Sequence, residues 1–290
     1  MSSRTRLRDL LLSLTLAIGW FATASESNAA CVWKVTGPNG GTLFLGGSVH
    51  VLRSVDYPLP GAYNRAFESS SRVVFEADPK DLLGVVKGVV KASEYPKGDS
   101  LKNHVDPRTY DYLRHFFSLL KIPETKFAKF RPWFIKLMLE APPPEYSINL
   151  GVEDFITRRA QANSKPISGL ESLRESIDLF SNVSDRESEA LLLLTFINAG
   201  RQNPHGDEML TAWRRGDAES LARLMSDSFR DFPTAGEHML GARNRKWIPK
   251  LERFIRSGQT YFVVVGAGHM GGPEGVLALL KTRGYTIEQL

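Results

Sequence analysis

Short apolar runs, each closed by turn-forming residues, mark the strands of this chain. Val32–Thr36 alternates between apolar and polar residues, and Thr42–Gly47 follows it across the glycine-rich segment Gly37–Gly41, so the pattern predicts an opening hairpin. Arg72–Asp78 and Tyr261–Val265 are continuous and rich in β-branched residues, which is typical of strands buried on both faces.

Helical periods dominate the middle of the chain. The helical pattern runs from Asp81 to about Ala141 and recurs over 151–162. After a short predicted strand over Pro166–Leu170, it continues from Glu171 to Ile255. The fold class predicted from these patterns is α/β, with a mixed central β-sheet and a largely helical middle insertion.

The residue pattern at the end of the chain predicts a strand, a helix and a second strand. After Tyr261–Val265 come a helical stretch over Gly275–Arg283 and a final strand over Tyr285–Leu290. A crossover of this kind favours a parallel pairing of its two strands.

The first 30 residues have the pattern of a signal peptide. Arg4, Arg6 and Arg8 precede a short apolar run over Leu10–Trp20, and small residues up to Ala29 and Ala30 offer a cleavage site. We therefore expect residues 31–290 to form a single periplasmic or secreted domain, with no stable membrane insertion after cleavage. Lipidation of Cys31 is the alternative, but the residues before it do not match a lipobox.

Composition and charge narrow the classes of function. Cys31 is the only cysteine, so the fold depends on its core rather than on disulfides, and 42% of the residues are hydrophobic. The net charge is +5, with the basic residues scattered among acidic ones. This distribution speaks against nucleic-acid binding.

Two strands are followed by the same motif, Gly-x-x-His. The first ends at His50 and the second at His269, and the third strand carries Glu76 near its end. The carboxyl ends of strands are where α/β sheets build their sites, and imidazole can exchange protons or bind a metal near neutral pH. A single strand-end histidine is more often structural, but the repeated motif favours one shared site.

The second motif also overlaps a dinucleotide-binding pattern. Gly266, Gly268 and Gly271 match G-x-G-x-x-G, and Glu288 lies near the position of a ribose-binding acid. The pattern stands at the extreme C-terminus of an exported chain, and a histidine occupies its phosphate loop. No nicotinamide cofactor is therefore expected.

An ordered set of motifs resembles the TraB/PrgY/GumN family. The segments that carry the resemblance are Trp33–Val35, Leu45–His50, Phe75–Asp78, Arg131–Trp133, Gly151–Glu153, Leu170–Ser172, Arg243-Asn244, Val265–Met270 and Gly284-Tyr285. That family is similar to the Tiki metalloproteases and, more remotely, to erythromycin-esterase and ChaN-like proteins.

The resemblance implies that His50, Glu76, His269 and Arg243 are the catalytic residues. Ala242 departs from the family pattern, which has a glutamate before the arginine, so a partner of Arg243 is expected to be missing. From the residues alone, a surface salt bridge is the favoured role of Arg243, and the alternative is that it stabilises a developing oxyanion or a substrate carboxylate. Glu153, where an aspartate is common, could either stabilise a helix start or belong to the site.

The sequence thus predicts an exported hydrolase, acting on a peptide or small-molecule substrate with a peptide or ester-like bond. His50, His269 and Glu76 could hold a divalent metal ion, and the same trio could work without a metal if one histidine acts as a base. A catalytically inactive protein that binds a peptide or small ligand in the same pocket is the alternative, kept open by Ala242.

Overall fold

A six-stranded mixed sheet organises the computed structural model, which describes residues 29–139, 144–181, 183–199, 204–230 and 232–290. Residues 1–28 of the predicted signal peptide lie outside the described residues. The strands are β1 (Val32–Thr36), β2 (Thr42–Ser48), β3 (Arg72–Ala77), β4 (Ile167–Glu171), β5 (Tyr261–Gly266) and β6 (Thr286–Gln289). The predicted mixed α/β class is confirmed.

The strand order is β4-β3-β5-β2-β1-β6. The four strands from β4 to β2 are mutually parallel, whereas β1 is antiparallel to both of its neighbours. At the centre, residues 262–265 of β5 are all buried. This explains why that strand reads as a continuous apolar run instead of an alternating one.

The last strand pairs differently from the expectation. β6 is hydrogen-bonded to β1 in antiparallel register, with Val35 opposite Ile287, and not to β5. The predicted parallel pairing of the closing unit is wrong because β2 and β3 already occupy both edges of β5. The crossover therefore passes over two strands to reach the open edge of the sheet beside β1.

Helices fill the connections between the strands. They are α1 (Gly61–Glu68), α2 (Leu82–Ser93), α3 (Pro107–Leu119), α4 (Pro132–Leu139), α5 (Val152–Ala162), α6 (Leu173–Ser181), α7 (Asp185–Ala199), α8 (Pro204–Arg215), α9 (Ala218–Ser228), α10 (Pro233–Gly236), α11 (Ala242–Arg256) and α12 (Val276–Lys281). A π-helical segment, Glu237–Gly241, joins α10 to α11. None of the described helices is both long and apolar enough to cross a bilayer.

Two hydrophobic clusters support this arrangement. The larger one surrounds the sheet, and a smaller one lies within the helical insertion, where Leu101, Leu113 and Ile135 are completely buried. Beside the smaller cluster, His104 stacks on Tyr95. The insertion thus has packing of its own, while the extent of the single domain stays a prediction.

Cys31 belongs to the main hydrophobic core around the sheet. Its side chain is fully buried, and burial raises the pKa of its thiol far above the ordinary value. A β-carbon at Gly47 would lie 2.3 Å from the Cys31 sulfur, so the glycine of the first motif makes room for the cysteine.

Candidate functional site

The two Gly-x-x-His motifs leave the sheet side by side. β2 and β5 are adjacent parallel strands, and Ser48 is paired in register with Gly266. Because parallel strands end at the same edge of a sheet, His50 and His269 follow neighbouring strand ends. The sequence therefore brings the two motifs together, as expected from their common position after a strand.

Glu76 joins the second motif from β3. Its Oε1 accepts a hydrogen bond of 2.7 Å from the Gly266 amide, and it lies 3.8 Å from Nε2 of His269. A β-carbon at Gly266 would stand only 3.2 Å from that oxygen, so the glycine allows the close approach of the carboxylate. Asp78 stays outside this contact and accepts from the Lys80 amide in the following turn.

Arg243 holds the buried part of the site together. Its Nε and Nη2 donate to the two oxygens of Glu171 at 2.7 and 2.9 Å, and Nη2 also donates to Glu76. The remaining group, Nη1, lies 3.3 Å from the Met239 carbonyl and 3.2 Å from Nε2 of His269. These contacts engage all five N–H donors of a guanidinium.

Two expectations about Arg243 are therefore wrong. It is only 8% exposed, so it forms no surface salt bridge. Its carboxylate partners are present despite Ala242, because Glu76 and Glu171 reach it from β3 and β4. Because every donor of this guanidinium is engaged, Arg243 would have to give up a hydrogen bond before it could contact a substrate oxyanion.

His269 is buried, but its ring is not surrounded by apolar groups alone. Nδ1 lies 2.7 Å from Oδ1 of Asn244, and Nε2 faces Arg243. Since arginine only donates, Nε2 must accept and Nδ1 must carry the proton. The ring also packs 4.5 Å from that of Trp247, whose indole N–H donates to Glu171.

His50 occupies a different environment at the neighbouring strand end. Its side chain is 77% exposed, and Nδ1 pairs with Oε1 of Glu153 at 2.8 Å. Ser48 donates to the same oxygen at 2.6 Å, so Glu153 connects the strand end to α5. Glu153 lies in the first turn of α5 and also contacts the site, which unites the two roles considered for it.

The surroundings of the two imidazoles shift their pKa values in opposite directions. The hydrogen bond and charge of Glu153 raise the pKa of His50 to about 9, so this ring is cationic at neutral pH. Burial lowers the pKa of His269 to about 4, so that ring is neutral. Burial opposes ionisation of Glu76. At the low pH where this carboxyl titrates, however, the charge of protonated His269, the charge of Arg243 and the Gly266 amide outweigh burial and lower the carboxyl pKa to about 2.

The predicted metal ligands, His50, His269 and Glu76, do not fit a divalent ion as they are arranged. The Nε2 lone pair of His269 faces a guanidinium, and both oxygens of Glu76 already accept hydrogen bonds. Within the described ranges, no group of three or more histidine, cysteine, aspartate or glutamate side chains could hold a metal ion. Coordination by this trio would require Arg243 to move first.

Sequence reasoning missed Glu171 and Trp247 as members of the site. Glu171 ends β4 just as Glu76 nears the end of β3, and this common position is the signal that could have identified it. His238 precedes Arg243 by five residues, a spacing that would place the two side chains on different faces of an α-helix. The π-helical segment has a wider turn than an α-helix, and it brings both residues to the wall of one cavity.

Two known proteins are similar to most of this chain. An uncharacterized protein of Treponema pallidum (strain Nichols) is 23% identical over 273 residues, covering 87% of this chain and 80% of its own length. Metalloprotease TIKI2 of Danio rerio is 22% identical over 300 residues, covering 84% of this chain but 58% of its own length. No solved structure matches the chain significantly, so the remote likeness to erythromycin-esterase and ChaN-like proteins stays a prediction.

The family model of the TraB/PrgY/gumN family matches residues 31–289, so the chain belongs to that family.

Proposed function

We propose that this member of the TraB/PrgY/gumN family is a hydrolase of peptide or ester-like bonds that acts at the exposed side of the two adjoining motifs. One observation carries the proposal: residues remote in sequence converge at neighbouring strand ends, and one of them, His50, is an exposed imidazole held by a carboxylate. The relative named as a metalloprotease supports a hydrolase-like role.

His50 is the residue that exchanges protons in this proposal. Glu153 fixes Nδ1 and keeps the ring cationic, which leaves Nε2 able to donate a proton to the leaving group. The proton released by the attacking water returns to the imidazole, so each cycle restores the starting state. Glu76, His269 and Arg243 form a group of polar side chains beside it, and their mutual contacts hold these side chains in place.

The test compares His50→Ala with His115→Ala, an exposed histidine on α3. Purified wild-type protein is incubated with labelled casein and, separately, with a p-nitrophenyl ester. We expect turnover of at least one probe, a loss of about 10²–10⁴-fold in His50→Ala, and no change in His115→Ala. Full activity in His50→Ala, or no turnover of either probe by the wild type, would overturn the proposal.

The pH profile gives a second test of the role of His50. A proton donor with a pKa of about 9 works below that value, so activity should fall as the pH rises through about 9. Glu153→Gln should move this limit toward the ordinary histidine value of 6.5. A profile unaffected by this substitution would remove His50 from the proton transfer.

A metal-dependent hydrolase is the second candidate, and the name of the Danio rerio relative favours it. The two candidates are separated by elemental analysis of the purified protein and of His50→Ala and His269→Ala. A metal present in the wild type and lost from both variants would show that Arg243 gives way to a bound cation. The inactive binding protein loses its main support, because Arg243 keeps its carboxylate partners without a glutamate at position 242.

A further inference from the structure

A cavity of about 140 Å³ lies between α6 and α11, next to the candidate site. Arg243 and Glu171 form part of its wall, and the same pair contacts Glu76 and Trp247 on the side of the site. A molecule in this cavity would therefore touch the group that positions the buried part of the site, while His50 does not line it.

The two helices form opposite walls of the cavity, and these walls carry opposite charges. Glu175 and Asp178 stand three residues apart on α6, and Lys246 and Lys250 stand four apart on α11. Each spacing places its pair on one face of a helix. The cavity is thus bordered by carboxylates on one side and by ammonium groups on the other.

The charges of the two walls act on each other through space: the hydrogen bonds from Ser172, and then the charges of Lys250 and Lys246, lower the pKa of Glu175. Glu175 accepts from the amide and hydroxyl of Ser172, and the exposed Arg174 lies 3.5 Å from Asp178. On the opposite wall, Lys250 donates to a backbone carbonyl. In the part of the chain that the structure describes, no ion pair joins α6 to α11.

The rest of the lining offers both polar and apolar contact. His238 lines the cavity, and its buried Nε2 has no hydrogen-bond partner among the described residues. Ala242 contributes only a methyl group, so it leaves the space beside Arg243 open. A buried polar atom without a partner costs free energy, and a bound molecule could supply the missing contact.

From this geometry we infer that the cavity binds a small zwitterion of amino-acid size. A molecule with one ammonium and one carboxylate group can form direct ion pairs with both walls, whereas a simple anion or cation can form them with one wall only. The cavity volume of about 140 Å³ is many times the space that one water needs, so the cavity has room for a small amino acid such as glycine. This inference concerns binding and does not require the proposed hydrolysis.

The test measures thermal unfolding of the full chain with increasing glycine, and with acetate or methylammonium at equal concentration. We expect glycine to give a saturable rise in melting temperature, on the order of 3 °C at ten times its Kd. Acetate and methylammonium should each give less than half of this rise, because each ion satisfies one wall only.

Variants show whether the effect comes from the cavity. Lys246→Met and Asp178→Asn each remove one charged wall group and should abolish the rise, whereas Arg253→Met removes an exposed charge of α11 away from the cavity and should keep it. A rise that does not saturate, that is equal in Lys246→Met and the wild type, or that acetate alone reproduces would overturn the inference. The absence of any rise would do the same.

Discussion

Replacing Glu76 by glutamine tests whether the buried charge network holds the site together. The substitution keeps the shape and an oxygen that can accept from the Gly266 amide, but it removes the negative charge next to Arg243. It also presents amide donors to a guanidinium that can only donate. Arg243 would retain Glu171 as its single carboxylate partner.

The structure sets the size of the effect. Lowering the carboxyl pKa from the ordinary 4.5 to about 2 corresponds to at most about 3 kcal/mol in favour of the folded state at neutral pH, because the charge of His269 contributes to the shift only at low pH. Because the pKa is lower in the folded state, this stability is present above pH 4.5 and is lost as the pH falls toward 2. At pH 4, about 1 kcal/mol of it should already be gone.

Urea unfolding of the wild type and Glu76→Gln at pH 7.5 and pH 4 measures both quantities. We expect a loss of about 2–3 kcal/mol at pH 7.5, shrinking by about 1 kcal/mol at pH 4. Glu68→Gln is the control, since its exposed ion pair with Arg159 should be worth less than about 1 kcal/mol. A loss below 1 kcal/mol at pH 7.5, or one independent of pH, would refute the reasoning.

Three further predictions follow from contacts of the site and the core. Gly47→Ala should destabilise the fold by about 1–3 kcal/mol in chemical denaturation, and adding Cys31→Ala should recover most of this loss because the new β-carbon meets the cysteine sulfur. In an NMR titration, the His50 ring should change charge near pH 9 in the wild type and closer to 6.5 in Glu153→Gln. In the same titration, His269 should stay neutral down to about pH 4, and a midpoint near 6.5 would contradict its burial beside Arg243.

The sequence predicted the sheet and the meeting of the two motifs because both depend on local patterns. The apolar run of β5 and the hairpin of β1 and β2 are visible as runs and turns, and a glycine after a strand marks the exit of the chain. The position of Glu76 near the end of β3 followed from the same reasoning.

The pairing of β6 and the partners of Arg243 could not be predicted in this way. Which edge of a sheet is open depends on all the other strands, and no local pattern around β6 records it. Likewise, the two carboxylates that bind Arg243 lie 167 and 72 residues away from it along the chain. A missing neighbour in sequence, such as the glutamate replaced by Ala242, therefore says little about the contacts that the arginine makes in space.

The histidines of the two motifs differ in charge over a wide range of pH. Between about pH 4 and pH 9, His50 carries a proton on both nitrogens while His269 carries only one. Two copies of one short motif thus provide an acidic group and an uncharged one simultaneously, over a span of about five pH units. Changes of pH within this span should therefore leave the charge of both rings unchanged.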